Sequence, residues 1–247
     1  MEKNNPAFVI DEKTGSHQCW SCGDMRATRF CSSCGKVQPP MPSDYFTFFG
    51  LPRKLNIDES GLQREFYALS RKLHPDVYAQ ASDREQDWSL ETTSLLNDAF
   101  RTLKDPVART EYLLKLEGIN TEEQSKSASD HARASGEAKK QIVPPDLLEE
   151  VFELNMQLEE ARMNRKMGEE DANLLRDLQN TKKTLEEKFQ QLLDELKQHW
   201  DVWDALVTRG LIGSTDRSTV LGSMMDVLNR RTYIRNLVRD VNEVLDI

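Results

Sequence analysis

The chain has 247 residues, of which 38% are hydrophobic and 30% charged, and it carries a formal net charge of −9. This acidic balance excludes the clustered cationic footprint that a nucleic-acid partner needs, and no apolar run approaches the roughly 20 residues that span a bilayer. The start, Met1-Glu2-Lys3-Asn4-Asn5, lacks the apolar core of a secretion signal, so the expectation is a soluble cytoplasmic protein, or a mitochondrial-matrix one if a transit peptide has been removed.

All four cysteines fall between positions 19 and 34. Cys19-Trp20-Ser21-Cys22 and Cys31-Ser32-Ser33-Cys34 form two CxxC knuckles with eight residues between them, a spacing that lets four thiolates converge on one metal ion. Zinc in a closed structural site is the expected occupant; iron accepts the same all-sulfur geometry, as in rubredoxin, and a disulfide or thiol-relay role is the remaining alternative. Gly23 and Gly35 follow the second cysteine of each knuckle, where a tight turn needs a permissive backbone. Residues 1–42 are too short to fold on a core of their own, so metal binding is expected to supply their folding free energy. His17 reads as an ordinary polar loop residue.

Leu62, Phe66, Leu69 and Leu73 then recur at helical spacing and define one packed face, while Arg64, Arg71 and Lys72 lie outside that stripe. The helix starts either at Asp58 or at the capping-box pair Ser60 and Gln63. Pro75 ends it, because its ring disfavours helical geometry at His74 and it has no N–H to donate. A second stripe, Trp88, Thr92, Leu95, Leu96, Ala99, Phe100 and Leu103, predicts a partner helix. The two helices pack as an antiparallel hairpin, with His74, Pro75 and Asp76 at a rigid, protruding corner.

Pro106 breaks the chain again, and Val107 to Leu114 reads as a short helix with Tyr112 and Leu113 near its packed side. From Gly118 to Gln141 large apolar side chains are almost absent, which predicts a mobile linker. From Asp146 onward, 21 acidic residues stand against 14 basic ones, and three apolar seams follow one another. The first is Leu147, Val151, Leu154, Leu158 and Ala161. The second runs from Leu174 through Leu178, Thr181, Leu185, Phe189, Leu192 and Leu196 to Trp200 and Trp203. The third is Met224, Val227, Arg231, Ile234, Val238, Val241 and Leu245, with one polar interruption. They predict a three-helix bundle with breaks near Gly168 and at 210–216. Leu148, Phe152 and Met156 form an additional apolar row on the first of these helices, which either joins the core or faces a partner.

His74-Pro75-Asp76 between two amphipathic helices resembles the signature of a J-domain, with Asp44-Tyr45-Phe46 and Phe49-Gly50-Leu51 similar to its first helix and Leu96 to Pro106 to its third. The order of knuckles, J-domain, the segment Arg109-Thr110-Glu111-Tyr112-Leu113-Leu114 and an acidic helical tail resembles the HscB family, the J-type co-chaperones of iron-sulfur cluster biogenesis, over essentially the whole chain. That resemblance implies a mainly α protein: a zinc-ribbon or rubredoxin-like module (1–42), a helical-hairpin J-domain (43–117), a linker (118–143) and a C-terminal three-helix domain (144–247).

It also implies a function. His74, Pro75 and Asp76, with the basic face carrying Arg64, Arg71 and Lys72, would engage the ATPase domain of an HscA/DnaK-type chaperone and stimulate hydrolysis. The tail would bind an IscU-type scaffold, with Leu148, Phe152 and Tyr233 matching the family's apolar binding face and Glu153 beside it. Val77 stands where many J-domains have Lys, and Glu149 where the family often has an apolar residue.

No nucleophile triad, phosphate loop or carboxylate pair points to an enzyme, and His131 and His199 sit in polar surroundings. The alternatives are a general J-protein with another client or a self-associating coiled-coil tail, and a small redox protein with iron in the four-cysteine site.

Overall fold

The computed structural model describes residues 10–11, 16–25, 27–119, 147–169, 171–210 and 215–245. Residues 120–143 of the expected linker, Pro144, Pro145 and 211–214 of the expected 210–216 break lie outside them, and so does His131. The chain divides into two compact units, Met1–Arg53 with Ile57–Asp105, and Lys54–Asn56 with Pro106–Ile247.

In the first unit, β1 (Ile10–Asp11) pairs antiparallel with β2 (Ser16–His17). His17 continues the ladder through its N–H and carbonyl to Ala27 at 2.8 and 3.1 Å, and single bridges join Ala27 to Cys31 and Phe30 to Val37. This small framework carries both knuckles. It also corrects the reading of His17, which is fully buried on a strand and not in a polar loop. Burial lowers its pKa, and the neighbouring Gln38 side chain opposes that shift.

Asp44 caps α1 (Tyr45–Phe48) by accepting from the Thr47 N–H at 2.9 Å. α2 (Glu59–Leu73) starts at Asp58, and the alternative capping box is not used: Ser60 lies inside the helix. The expected stripe packs, with Leu62, Leu69 and Leu73 buried and Phe66 stacked on Phe100 at 4.0 Å between ring centroids. α3 (Asp83–Lys104) buries Thr92, Leu96, Ala99 and Leu103 as expected, and also Glu85 and Ser89, whose polarity had hidden them. A capping box, Ser82 with Glu85, starts α3. The antiparallel hairpin is therefore as the two stripes predict.

α4 (Pro106–Leu116) belongs to the second unit, whereas the resemblance places it at the end of the J-domain. Pro106 fits the first turn because its missing N–H has no intrahelical partner there. The buried face is Arg109, Thr110, Leu113 and Leu114, and it has a matching surface: the Trp200 indole N–H donates to the Thr110 hydroxyl at 3.0 Å, and the Arg109 guanidinium lies 4.9 Å from the Trp200 ring centroid. Such a contact offsets the cost of burying an arginine.

The three seams form α5 (Leu148–Met167), α6 (Ala172–Thr208) and α7 (Thr215–Leu245), which pack on one another. Leu147, Val151, Leu154, Leu158 and Ala161 are all buried, as expected. Gly168 ends α5 with φ 75°, the left-handed conformation that favours glycine. The polar interruption of the third seam has a local cause: the Arg231 guanidinium stacks 3.8 Å from the Phe189 ring centroid, so the arginine substitutes for an apolar neighbour. At the far end of α6, the Asp204 carboxylate accepts from the backbone N–H groups of Leu55 and Asn56 at 2.7 and 2.9 Å.

Candidate functional site

Three places could carry function, and each is built by a different element. In the cysteine module, the Sγ atoms of Cys19, Cys22, Cys31 and Cys34 all lie within 4.8 Å of one another, with Cys19 to Cys34 at 3.7 Å and Cys22 to Cys31 at 3.5 Å. A disulfide would need about 2.05 Å. A tetrahedron of thiolates around zinc at about 2.3 Å has an edge of about 3.8 Å, so the spacing fits one tetrathiolate metal ion.

Both knuckles turn in the same way. Gly23 and Gly35, at φ 77° and 72°, return their N–H groups to the carbonyls of Cys19 and Cys31 at 3.0 and 2.9 Å. The N–H groups of Ser21 and Ser33 point at the sulfurs of Cys19 and Cys31, each at 3.4 Å, where they stabilise negative charge.

Burial opposes ionisation of Cys19, but the N–H groups of Cys22 and Ser21 and the neighbouring thiols hold its pKa at about 6. Cys22 is pushed up to about 12: the N–H of Asp24 favours its thiolate, and the surrounding cysteines and burial outweigh it. A cation among the four sulfurs would stabilise their thiolate forms.

Sequence reasoning missed Gln38. It is buried, and its amide donates to Cys19 Sγ at 3.4 Å and to the Lys36 carbonyl at 2.8 Å. Its only signal was a polar side chain close after the second knuckle, which is not specific.

At the corner, His74 has φ −57° and ψ 131°, the extended conformation that a following proline imposes. Pro75–Tyr78 form one 3-10 turn. The Asp76 N–H donates to His74 Nδ1 at 3.3 Å, so in the neutral ring the proton sits on the outer Nε2. The His74 and Asp76 side chains are 53% and 91% exposed. Arg64, Arg71 and Lys72 are exposed on α2, and Arg64 and Arg71, seven residues apart, share one face of it. The exposed corner thus follows directly on the helix that carries the cationic face.

On α5, the extra row Leu148, Phe152 and Met156 is exposed and does not join the core; Phe152 is 69% exposed. Met163 and Met167 extend the uncovered apolar surface along the helix, and Glu153 is exposed beside Phe152. Tyr233, on α7, does not share this exposure. Only 7% of it is accessible, and burial raises the pKa of its hydroxyl, with Asp240 adding to the effect.

No protein-family profile matches the chain. The mouse protein named iron-sulfur cluster co-chaperone protein HscB is 34% identical over 168 residues, 66% of this chain and 66% of that protein. The chain belongs to the HscB family. The Arabidopsis thaliana HscB homolog is 35% identical over 144 residues, 58% of this chain and 51% of its own length. The crystal structure of human co-chaperone protein HscB shares the fold, with a TM-score of 0.59 and 24% identity over 92% of this chain and 97% of that one. The matches thus span about half to two thirds of the curated HscB relatives just described. The HscB fold agrees with the mainly α expectation. Among the described residues no helix is long and apolar enough to cross a membrane.

Proposed function

We propose that this chain is a non-enzymatic J-domain co-chaperone of iron-sulfur cluster assembly. His74, Pro75 and Asp76, with Arg64, Arg71 and Lys72, engage an HscA/DnaK-type chaperone and stimulate its ATPase. Leu148, Phe152 and Glu153 on α5 hold an IscU-type scaffold, with Tyr233 supporting the helix layer beneath. Zinc occupies the four-cysteine site as a structural ion, held by Cys19, Cys22, Cys31 and Cys34. It supplies folding free energy and leaves no open coordination position for chemistry. Reduced cysteines fit the cytoplasm or the mitochondrial matrix.

The observation that carries this reading is the exposed His74-Pro75-Asp76 corner beside the cationic face of α2. Isolated exposed histidines and carboxylates are common, but a corner fixed by proline and flanked by three exposed cations presents a preorganised polar surface to a partner. The test mixes the protein with an HscA-type chaperone and an IscU-type scaffold. The parent is expected to raise ATP turnover, more so with scaffold present, and His74→Gln to abolish the increase. Equal stimulation by parent and variant overturns the role of the corner.

A further inference from the structure

Between Glu85 and Thr93, side chains of α3 are held from two directions. Glu85 and Trp88 meet the cysteine module. Lys36 Nζ lies 2.8 Å from Glu85 Oε1, and Trp20, inside the first knuckle, packs edge to face on Trp88 with centroids 5.4 Å apart. Ser89 and Thr93 hold the corner instead, and Gln86 holds the loop that follows it. The Gln86 amide donates to the Ala81 carbonyl at 3.0 Å, and the hydroxyls of Ser89 and Thr93 donate to the Leu73 carbonyl, just before His74, at 2.6 and 2.9 Å. Glu85 is 4% exposed and also accepts from the Ser82 hydroxyl at 2.9 Å where the loop enters the helix.

The module's half of this contact exists only while the knuckles are folded. Among the described residues, the buried apolar side chains around the knuckles are Cys19, Ala27, Cys31 and Val37, too few to order such a segment, so metal binding must supply the difference. The module is thus a two-state element, and its folded state alone presents Trp20 and Lys36 to α3, which is what coupling between sites requires. Trp20 is itself held, because its indole N–H donates to the Val37 carbonyl at 2.7 Å.

We infer that the metal-loaded tetracysteine module braces the His74-Pro75-Asp76 corner through Glu85 and Trp88, so that metal occupancy sets how well ordered the corner is. The consequence for a partner ATPase rests on the function proposed above; the ordering itself does not.

Amide hydrogen exchange on the full chain tests the brace in three samples: metal-loaded parent, parent after chelation, and metal-loaded Lys36→Met. Chelation is expected to speed exchange of residues 74–93 tenfold or more while residues 217–241 keep their rates. Lys36→Met, at the parent's metal stoichiometry, is expected to speed exchange at 74–89 several-fold with 96–103 unchanged. If Lys36→Met loses metal, Glu85→Gln, remote from the cysteines in sequence, replaces it with the same expectation. Unchanged exchange at 74–89 in the metal-loaded variant, or an equal rise at 96–103, overturns the brace. Faster exchange with undiminished ATPase stimulation leaves the brace standing and instead overturns the corner's role in triggering the chaperone.

Discussion

The Ser89 hydroxyl donates to the Leu73 carbonyl at 2.6 Å, and both residues are fully buried. The last turn of α2 is thereby tied to α3 at the residue before His74, and Thr93 provides a second, partly buried donor at 2.9 Å. Ser89→Ala is expected to cost about 1 kcal/mol, the net worth of one buried hydrogen bond with a remaining partner. Ser89→Ala combined with Thr93→Val leaves the carbonyl unsatisfied and should cost about 2–3 kcal/mol. Urea denaturation of the three proteins checks this; equal midpoints would show that the tie contributes nothing.

Elemental analysis of the purified protein is expected to give one zinc per chain and no visible absorbance. Iron with a reversible potential would instead support the redox reading. Because Gln38 donates to Cys19 Sγ, Gln38→Leu should weaken metal binding about 10–100-fold, as loss of an outer-shell partner does, with stoichiometry intact at saturating metal. Competition with a chelator measures the ratio.

Phe152 and Leu154 lie two residues apart on α5 at 69% and 2% exposure, so their alanine variants should diverge. Phe152→Ala is expected to stay within about 0.5 kcal/mol of parent stability and to weaken scaffold binding by tenfold or more. Leu154→Ala should cost about 2–5 kcal/mol through the cavity it leaves. Thermal unfolding paired with calorimetric titration of an IscU-type scaffold separates them. Unaltered affinity in Phe152→Ala would remove that residue from the binding face.

The cations Arg64, Arg71 and Lys72 are exposed, and exposed charges act through a Debye length of about 10 Å at 0.1 M salt. Chaperone stimulation should therefore fall steeply as salt rises, and Arg71→Glu should reproduce the high-salt behaviour at low salt without changing the unfolding temperature. Titrating stimulation against ionic strength tests it; a flat profile would mean that this face makes no charged contact.

Asp44 provides a pH test. Burial opposes its ionisation, but the Thr47 N–H, Arg53 and the Thr47 hydroxyl outweigh burial and hold its pKa below the usual aspartate range. A depressed carboxylate contributes stability above its unfolded pKa of about 3.9 and loses that contribution as pH falls through the lower folded value. Asp44→Ala should thus be less stable than the parent by about 1 kcal/mol at neutral pH, the usual worth of a helix cap, and the gap should narrow below about pH 4. A gap independent of pH would show that the carboxylate's charge is not involved.

Much of the fold was legible because it follows from local periodicity. Leu62, Leu69, Leu73 and the Leu147 to Ala161 stripe are buried as read, with Phe66 half-buried, and Pro75 imposes the extended backbone at His74 wherever the chain is placed. The four cysteines converge because two CxxC turns leave few other geometries. What stayed hidden was polar or shared between elements. Glu85, Arg109 and Gln38 are buried with partners at Lys36, Trp200 and Cys19, distant in sequence, and no local pattern announces such pairs. The row Leu148, Phe152 and Met156 has the same spacing as a core seam, so sequence alone left it open between core and partner.

The sequence by itself determined the elements: which segments are helical, where proline and glycine stop them, and which thiols can share a metal, since these depend on backbone sterics and on neighbours a few positions away. Only the tertiary structure decided which faces are covered. Packing Trp200 against Arg109 drew α4 into the second unit, the pairing of Lys36 with Glu85 joined the knuckles to α3, and among the described residues Phe152 is left 69% exposed. Burial depends on what the rest of the chain places nearby, and that is a non-local property.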